Sequence, residues 1–210
     1  MAPASDPAFV VLFTVRLKGF ADVEPIAAAT GVPVDEVSLH LEKAAAEGLA
    51  LRREGRLSGW TVTAQGRDRV NEEVQAELED AGARAVIEQA YRDFLKVNGE
   101  LLSVCTDWQL RMVDGKQTPN DHTDTTYDKE VVGRLRAVDD AVQPVCDTLE
   151  GALERYRRYG PRLSGALTKV ESGDIEWFTK PMIDSYHTVW FELHEDLLAT
   201  LGIERGSEGT

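Results

Sequence analysis

Apolar and polar positions recur with two different periods along this chain, and the changes of period mark the predicted elements. Over the first 48 residues, apolar side chains lie three and four positions apart, a spacing that places them on one face of a helix. Gly31 favours a left-handed helix end, and Pro33 suits the start of a helix. This stretch predicts three helices, from Phe9 to Gly19, from Val23 to Thr30 and from Pro33 to Gly48.

Over residues 49–62, apolar side chains recur at every second position instead of at helical spacing. Leu49, Leu51, Trp60 and Val62 are the apolar members of this stretch, and the turn-forming pairs Glu54-Gly55 and Ser58-Gly59 separate them. Alternating residues around such turns predict two short strands joined as a β-hairpin. Thr63 is expected to cap a helix over 64–80 that links two domains.

Helical spacing returns beyond Gly82 and covers most of the remaining chain. Pro, Asn, Asp and Thr are crowded between Gly115 and Thr126, which predicts the longest loop. The helices predicted here are 83–98, 99–112, 127–158 with a kink near Pro144, 160–172 and 179–201.

Residues 9–70 resemble the winged-helix families of bacterial transcriptional regulators, particularly the MarR-like group. The resemblance is carried by Ile-Ala-Ala-Ala-Thr-Gly at 26–31, Val37, Leu41, Gly-Leu-Ala-Leu-Arg-Arg at 48–53, Gly59-Trp60 and Thr-Ala-Gln-Gly at 63–66. It implies that the third helix enters the major groove of DNA and that the hairpin, the wing, touches the backbone or the minor groove. The implied DNA contacts are Ser38, Leu39 and Lys43 on the helix and Arg52, Arg53 and Arg56 on the wing. A homodimer is expected if the operator is palindromic.

The predicted fold class is therefore mainly α: an N-terminal winged helix-turn-helix of three helices plus a β-wing, followed by an α-helical bundle. The bundle is expected to sense a ligand or to dimerise. The predicted division is a flexible leader 1–8, a winged-helix domain 9–66, a linker helix 64–81, a bundle 83–203 and a flexible tail 204–210.

The distribution of charge conflicts with the DNA-binding interpretation. The net charge is −14; residues 1–70 contain eight Lys/Arg and nine Asp/Glu, and the remaining residues contain 15 and 28. Any DNA contact must come from the near-neutral first third, because phosphate repels the acidic remainder. On the third helix, however, Asp35, Glu36 and Glu42 accompany Lys43. The alternative function is a protein adaptor whose winged helix contacts an enzyme or another regulator.

The last predicted helix carries an unusual stripe of aromatic and imidazole side chains, namely His187, Trp190, Phe191, His194 and Leu198 at spacings of three and four. Three interpretations stay open: a polar network that fixes the packing of the bundle, a small-molecule effector pocket, and a metal or catalytic site. Residues two turns apart are separated by about 10 Å, which is too far for His187 and His194 to share one ion. The predicted ligand-binding residues are Trp108, Arg111, His122, Trp177, Tyr186, His187, Trp190 and His194.

The same part of the chain loosely resembles the tails of winged-helix proteins that accompany phosphoenolpyruvate-utilising phosphotransferases. The segments concerned are 105–111, 120–124 and 185–198. This resemblance implies a protein partner, such as an enzyme of that kind.

Several classes of protein lack support in the sequence. Cys105 and Cys146 have no CxxC spacing, so buried free thiols are expected rather than a zinc site. Neither a nucleophile elbow nor a phosphate-binding glycine loop is present, and neither catalysis, a cofactor nor a metal is expected. No signal peptide and no apolar run of about 20 residues is found, which predicts a cytoplasmic protein without a membrane partner.

Overall fold

The computed structural model describes residues 4–55, 58–113 and 115–204, and over these residues the chain is mainly helical, as predicted. The helices are α1 Pro7–Lys18, α2 Val23–Thr30, α3 Val34–Ala46, α4 Ala64–Asp80, α5 Arg84–Gln109, α6 Thr125–Ala152, α7 Tyr159–Glu171, α8 Glu176–Thr179 and α9 Tyr186–Leu201, with a 3-10 helix at Glu154–Arg158. The strands are β1 Ala50–Arg53, β2 Gly59–Val62, β3 Leu110–Val113 and β4 Lys116–Pro119. Strand β1 pairs with β2 and β3 pairs with β4, both antiparallel.

Local signals between residues 30 and 66 act as the sequence predicts. Gly31 ends α2 in the left-handed region, with φ 77° and ψ 6°, and its amide donates to the carbonyl of Ala27 at 2.7 Å. Pro33 precedes α3. The hydroxyl of Thr63 accepts a hydrogen bond from the amide of Gly66 at 2.9 Å, which satisfies one unpaired donor at the start of α4.

Two predicted helices, 83–98 and 99–112, are one continuous helix, α5. Gly99 does not interrupt it, since glycine costs a helix only about 1 kcal/mol relative to alanine. The buried side chains of Leu101, Val104 and Trp108 hold the helix beyond that point. The stretch predicted as a helix end and a long loop instead contains the hairpin of β3 and β4, in which Leu110 pairs with Pro119.

Other boundaries also differ from the prediction. Helix α1 begins at Pro7, inside the predicted leader, because the carboxylate of Asp6 caps the amide of Ala8 at 2.7 Å. The predicted 127–158 helix ends as an α-helix at Ala152 and continues as a 3-10 helix, while Pro144 lies within α6. The last helix begins at Tyr186 instead of 179, since Pro181 would break its interior. Of the predicted tail, residues beyond 204 lie outside the described part of the chain.

The chain divides into two compact units that are discontinuous in sequence. The first comprises Met1–Glu88, Leu149–Arg158 and Glu192–Thr210, and the second comprises Gln89–Thr148 and Tyr159–Phe191. This division differs from the consecutive domains predicted from the sequence. In the first unit, α1 packs against α2, α3, α4 and β2. Its apolar core includes Phe9, Phe13, Ile26, Val37, Leu41, Trp60, Val70 and Val74.

Arg155 connects the separate stretches of the first unit. Its side chain is 2% exposed and forms ion pairs with Glu77 of α4, at 2.6 Å, and with Asp196 of α9. It also donates to the hydroxyl of Thr200 at 2.6 Å and lies 5.0 Å from the ring centre of Phe13 in α1. Burial alone would lower the pKa of Arg155, but the two carboxylates hold the pKa well above its ordinary value.

The second unit also contains a buried polar group that is satisfied internally. The carboxylate of Asp139 accepts hydrogen bonds from Ser164 at 2.9 Å, from Gln143 at 3.1 Å and from Tyr186 at 3.2 Å. Burial raises the pKa of Asp139 despite these donors. The core around it includes Phe94, Leu101, Leu135, Val138, Val142, Leu163, Phe178 and Val189.

The two cysteines are free and buried, which confirms the predicted thiols. Burial raises the pKa of Cys105 and that of Cys146 to about 12, so both thiols are protonated at neutral pH.

Replacement of Arg155 by methionine tests the buried ion network. Arg155→Met removes the guanidinium that pairs with the buried Asp196 and the half-buried Glu77, so we expect a loss of about 3–5 kcal/mol in the free energy of unfolding, measured in urea. The control is Arg157→Met, which removes an exposed arginine from the same 3-10 helix. Equal effects of the two variants would contradict the structural role of Arg155. The triple variant Arg155→Met/Glu77→Met/Asp196→Leu should recover much of the lost stability.

Gly66 tests the close approach between α4 and the start of the hairpin. A Cβ at this position would overlap the backbone carbonyl of Leu49, whereas a Cβ on Gly99 of α5 meets nothing within 4 Å. We therefore expect Gly66→Ala to lower the free energy of unfolding by about 1–3 kcal/mol. Gly99→Ala should instead raise it by about 0.5–1 kcal/mol. Similar melting temperatures for the two variants would rule out this packing.

Candidate functional site

Helix α3 presents one face to solvent, and this face contains most of the predicted DNA contacts on the helix. Val37 and Leu41 point into the core with no exposed surface. The opposite side, which we call the α3 face, consists of Asp35, Glu36, Leu39, Glu42 and Lys43, all exposed. The sequence therefore folds into a helix whose apolar stripe is anchored and whose charged side is available to a partner.

The α3 face is acidic and partly apolar. Three of its side chains are carboxylates and one is an ammonium. Asp35 and Glu36 lie in the first turn, where the helix dipole stabilises negative charge. Leu39 is 68% exposed, and the neighbouring Val34 is 47% exposed. Ser38, also predicted as a contact, is half-buried and donates its hydroxyl to the carbonyl of Val34 at 3.0 Å.

The hairpin beside α3 carries exposed cations. Arg52 and Arg53 are both exposed on β1, and the side chain of Arg52 contacts Glu54 only at 4.0 Å. A surface pair at that separation is worth roughly 0–1 kcal/mol, so it does not withhold the guanidinium from a ligand. Arg56, the third predicted wing contact, lies outside the described residues.

Trp60 anchors the hairpin to the core. Its indole is 3% exposed, and its backbone pairs with Ala21, which lies between α1 and α2, through hydrogen bonds of 2.7 and 3.2 Å. The register places Trp60 opposite Arg52, so the buried indole fixes the strand that displays the arginine.

Arg158 lies beside the turn between α2 and α3, a position that no local pattern in the sequence predicts. It is exposed, and its guanidinium donates to the carbonyl of Ala28 in α2 at 3.2 Å and lies next to Gly31. The arginine is more than a hundred residues away in sequence from the helices it contacts. It adds a cation to the region that contains the predicted DNA contacts.

The predicted ligand-binding residues do not form one cluster. Trp108 packs against His122 and Phe178, with ring centres 4.4 and 4.6 Å away. Trp190 instead packs against Phe94 at 4.8 Å and Tyr186 at 6.1 Å. The two indoles therefore belong to separate aromatic groups within the second unit.

The polar atoms around these aromatic groups have partners inside the unit. The indole nitrogen of Trp190 donates to Asn98 at 2.9 Å. Nδ1 of His122 lies 3.1 Å from the carboxylate of Asp128. Asn120 donates to that carboxylate at 2.8 Å and to the carbonyl of Trp108 at 3.1 Å. This arrangement favours the polar-network interpretation over an effector pocket.

The remaining predicted ligand-binding residues make other contacts or differ in burial. Arg111 pairs with Asp124 at 3.3 Å, and the Lys169 ammonium lies 3.1 Å from the ring centre of Trp177. His187 is exposed, while His194 is buried in the part of α9 that belongs to the first unit.

Neither a metal site nor a membrane-spanning helix is present in the described ranges. Among residues 4–55, 58–113 and 115–204, no group of three or more His, Cys, Asp or Glu side chains is arranged to hold a metal ion. Over the same ranges, no helix combines the length and the apolarity that a bilayer crossing requires.

No protein-family model matches the chain, and neither a curated protein nor a solved structure matches it.

Proposed function

We propose that α1, α2, α3 and the β1–β2 hairpin form a winged helix, and that the protein is a dimeric, cytoplasmic transcriptional regulator. In this proposal α3 enters the major groove and the hairpin contacts the backbone. The second unit, a helical bundle, serves as the dimerisation part. The observation that carries the proposal is the exposure of Arg52 and Arg53 on the hairpin next to the exposed side of α3.

Exposed cations at three places support a contact with phosphate. Lys43 lies on α3, Arg52 and Arg53 lie on β1, and Arg158 lies at the turn before α3. Each phosphate neutralised by such a side chain releases counterions and adds to the affinity. Phosphate contacts fix the position of the protein on DNA without reading its sequence.

The acids of the α3 face suit the reading of bases more than binding to the backbone. Asp and Glu accept hydrogen bonds from the amino group of cytosine in the major groove. Asp35, Glu36 and Glu42 repel phosphate at the same time, so they lower the affinity for every sequence. We therefore expect selective binding of modest strength, with two copies of the chain combining their contacts on one operator.

The exposed apolar residues of α3 favour a second candidate function, that of a protein adaptor. Leu39 and Val34 lie among carboxylates, and an apolar patch with an acidic border is complementary to a protein groove with basic edges. The partner expected from the loose resemblance is a phosphoenolpyruvate-utilising phosphotransferase. An adaptor would need no contact from the arginines of the hairpin.

Removal of the hairpin arginines tests the DNA-binding proposal. A duplex is first selected from a random-sequence library, and its affinity is then measured by fluorescence anisotropy at 50–200 mM salt. We expect Arg52→Ala/Arg53→Ala to make the negative slope of log affinity against log salt shallower by about two, since two phosphate contacts are lost. The control, Arg92→Ala/Lys96→Ala, removes two exposed cations from the second unit and should leave the slope unchanged.

An unchanged slope in the hairpin variant would contradict the proposed role of these arginines. Failure of the wild-type protein to enrich any duplex, together with stoichiometric binding of a phosphotransferase that Leu39→Asp abolishes, would favour the adaptor.

A further inference from the structure

A groove in the first unit opens beside the proposed DNA-docking helix. Its volume is about 520 Å³, within the range of sites that hold small molecules. It is lined by the start of α1 and the residues just before it, by one flank of α3, by Leu49 and by α4. None of the lining residues belongs to the second unit.

The floor of the groove is apolar and rigid. Phe9 and Leu12 of α1 belong to the buried core of the unit, and Leu49 packs against that core. Ala44 and Ala76 contribute small side chains from α3 and α4, which leave room above the floor. A ligand with an apolar body can therefore bury surface here without rearrangement of the core.

The walls of the groove carry more negative than positive charge. The lining carboxylates are Asp6, Glu47, Glu73, Glu77 and Asp80, and the lining cations are Lys43 and Arg69. Arg69 pairs with Glu73 at 2.6 Å, and Glu77 pairs with Arg155 at 2.6 Å. These pairs leave an excess of carboxylate at Asp6, Glu47 and Asp80 over the ammonium of Lys43.

We propose that this groove binds an organic cation with an apolar body, such as a hydrophobic amine. Its apolar part lies over Phe9 and Leu12, and its positive charge lies between Glu47, which directly follows α3, and Asp80 of α4. Charge complementarity excludes an organic anion of the same size, since the walls would repel it.

This proposal rests in part on the proposed function, because it also makes the cation an effector. His40 and Lys43 line the groove from the helix that is proposed to enter DNA, and Glu47 lines it just beyond the end of that helix. A bound cation adds positive charge beside that helix and offsets the repulsion between the acids and phosphate. Cation binding and DNA binding therefore strengthen each other by the same factor, as linkage requires.

The binding site is tested first without DNA. The probes are rhodamine 6G, a cationic xanthene dye, and fluorescein, an anionic xanthene dye, each measured by fluorescence anisotropy against the full chain. We expect saturable binding of rhodamine 6G and binding of fluorescein at least about tenfold weaker. Equal binding of both dyes, or no binding of rhodamine 6G, overturns the proposal.

Variants locate the site. Glu47→Gln/Asp80→Asn should weaken rhodamine binding about tenfold. Ala76→Leu should weaken it by filling the groove, and the variant should fold because Ala76 is exposed. The matched control, Glu72→Gln/Glu79→Gln, removes two exposed acids of α4 that do not line the groove. An equal loss in the control, or no loss with Ala76→Leu, overturns the site.

The regulatory part is tested separately on a DNA duplex selected by the protein. Saturation with rhodamine 6G should raise DNA affinity about fivefold or more in the wild type and leave it unchanged in Ala76→Leu. Dye binding without this effect refutes the effector role and leaves the cation site standing. A chain that binds the dye but no DNA refutes the proposed function and not the site.

Discussion

The buried guanidinium of Arg155 is the constraint on which the rest of the first unit depends. A charge removed from water is tolerated only when paired carboxylates and other acceptors replace its hydration. Glu77, Asp196 and Thr200 supply these acceptors, and they come from α4 and α9. The unit can therefore form only when stretches of chain separated by many residues meet at one point.

The contacts of Arg155 also hold α1 and α4, the helices against which other elements of the first unit pack. Arg155 lies over the ring of Phe13 in α1 while its ion pair holds α4. Helix α3 packs against α1, and strand β2 of the hairpin packs against α1 and α4, so the α3 face and the hairpin arginines are displayed from this base. A rigid base favours specific recognition, because little conformational entropy is lost on binding. In the proposed function, the acids on α3 select among DNA sequences and the arginines of the hairpin supply the attraction to phosphate.

Much of the fold between residues 20 and 80 could be predicted because local chemistry determines it. Gly31 and Thr63 each act through contacts with residues at most four positions away. The place of Arg155 and Arg158 in the first unit could not be predicted in this way. Their partners lie more than forty residues from them, and a contact at that distance leaves no periodic signal in a sequence.

Prediction of the candidate site from the sequence also fails where contacts join residues that are distant along the chain. The exposure of Leu39 follows from the helical periodicity of α3. Arg52 and Arg53 are adjacent on β1 and both exposed, which the alternation of a strand does not predict. The aromatic residues of the later helices suggested one cluster, but Trp108 and Trp190 belong to different groups because their neighbours are set by tertiary packing. The groove beside α3 combines residues from three stretches of chain, 4–12, 40–49 and 69–80, and none of them has a chemically unusual pattern in sequence.

The most direct test of the central claim, that α3 reads DNA with acids while nearby cations hold the backbone, is to neutralise the α3 acids. The variant Asp35→Asn/Glu36→Gln/Glu42→Gln would be compared with the wild type on a selected duplex and on its scrambled counterpart. The account predicts tighter binding to both duplexes and a smaller difference between them. Unchanged affinities for both duplexes would contradict the account, because the α3 face would then lie away from the DNA.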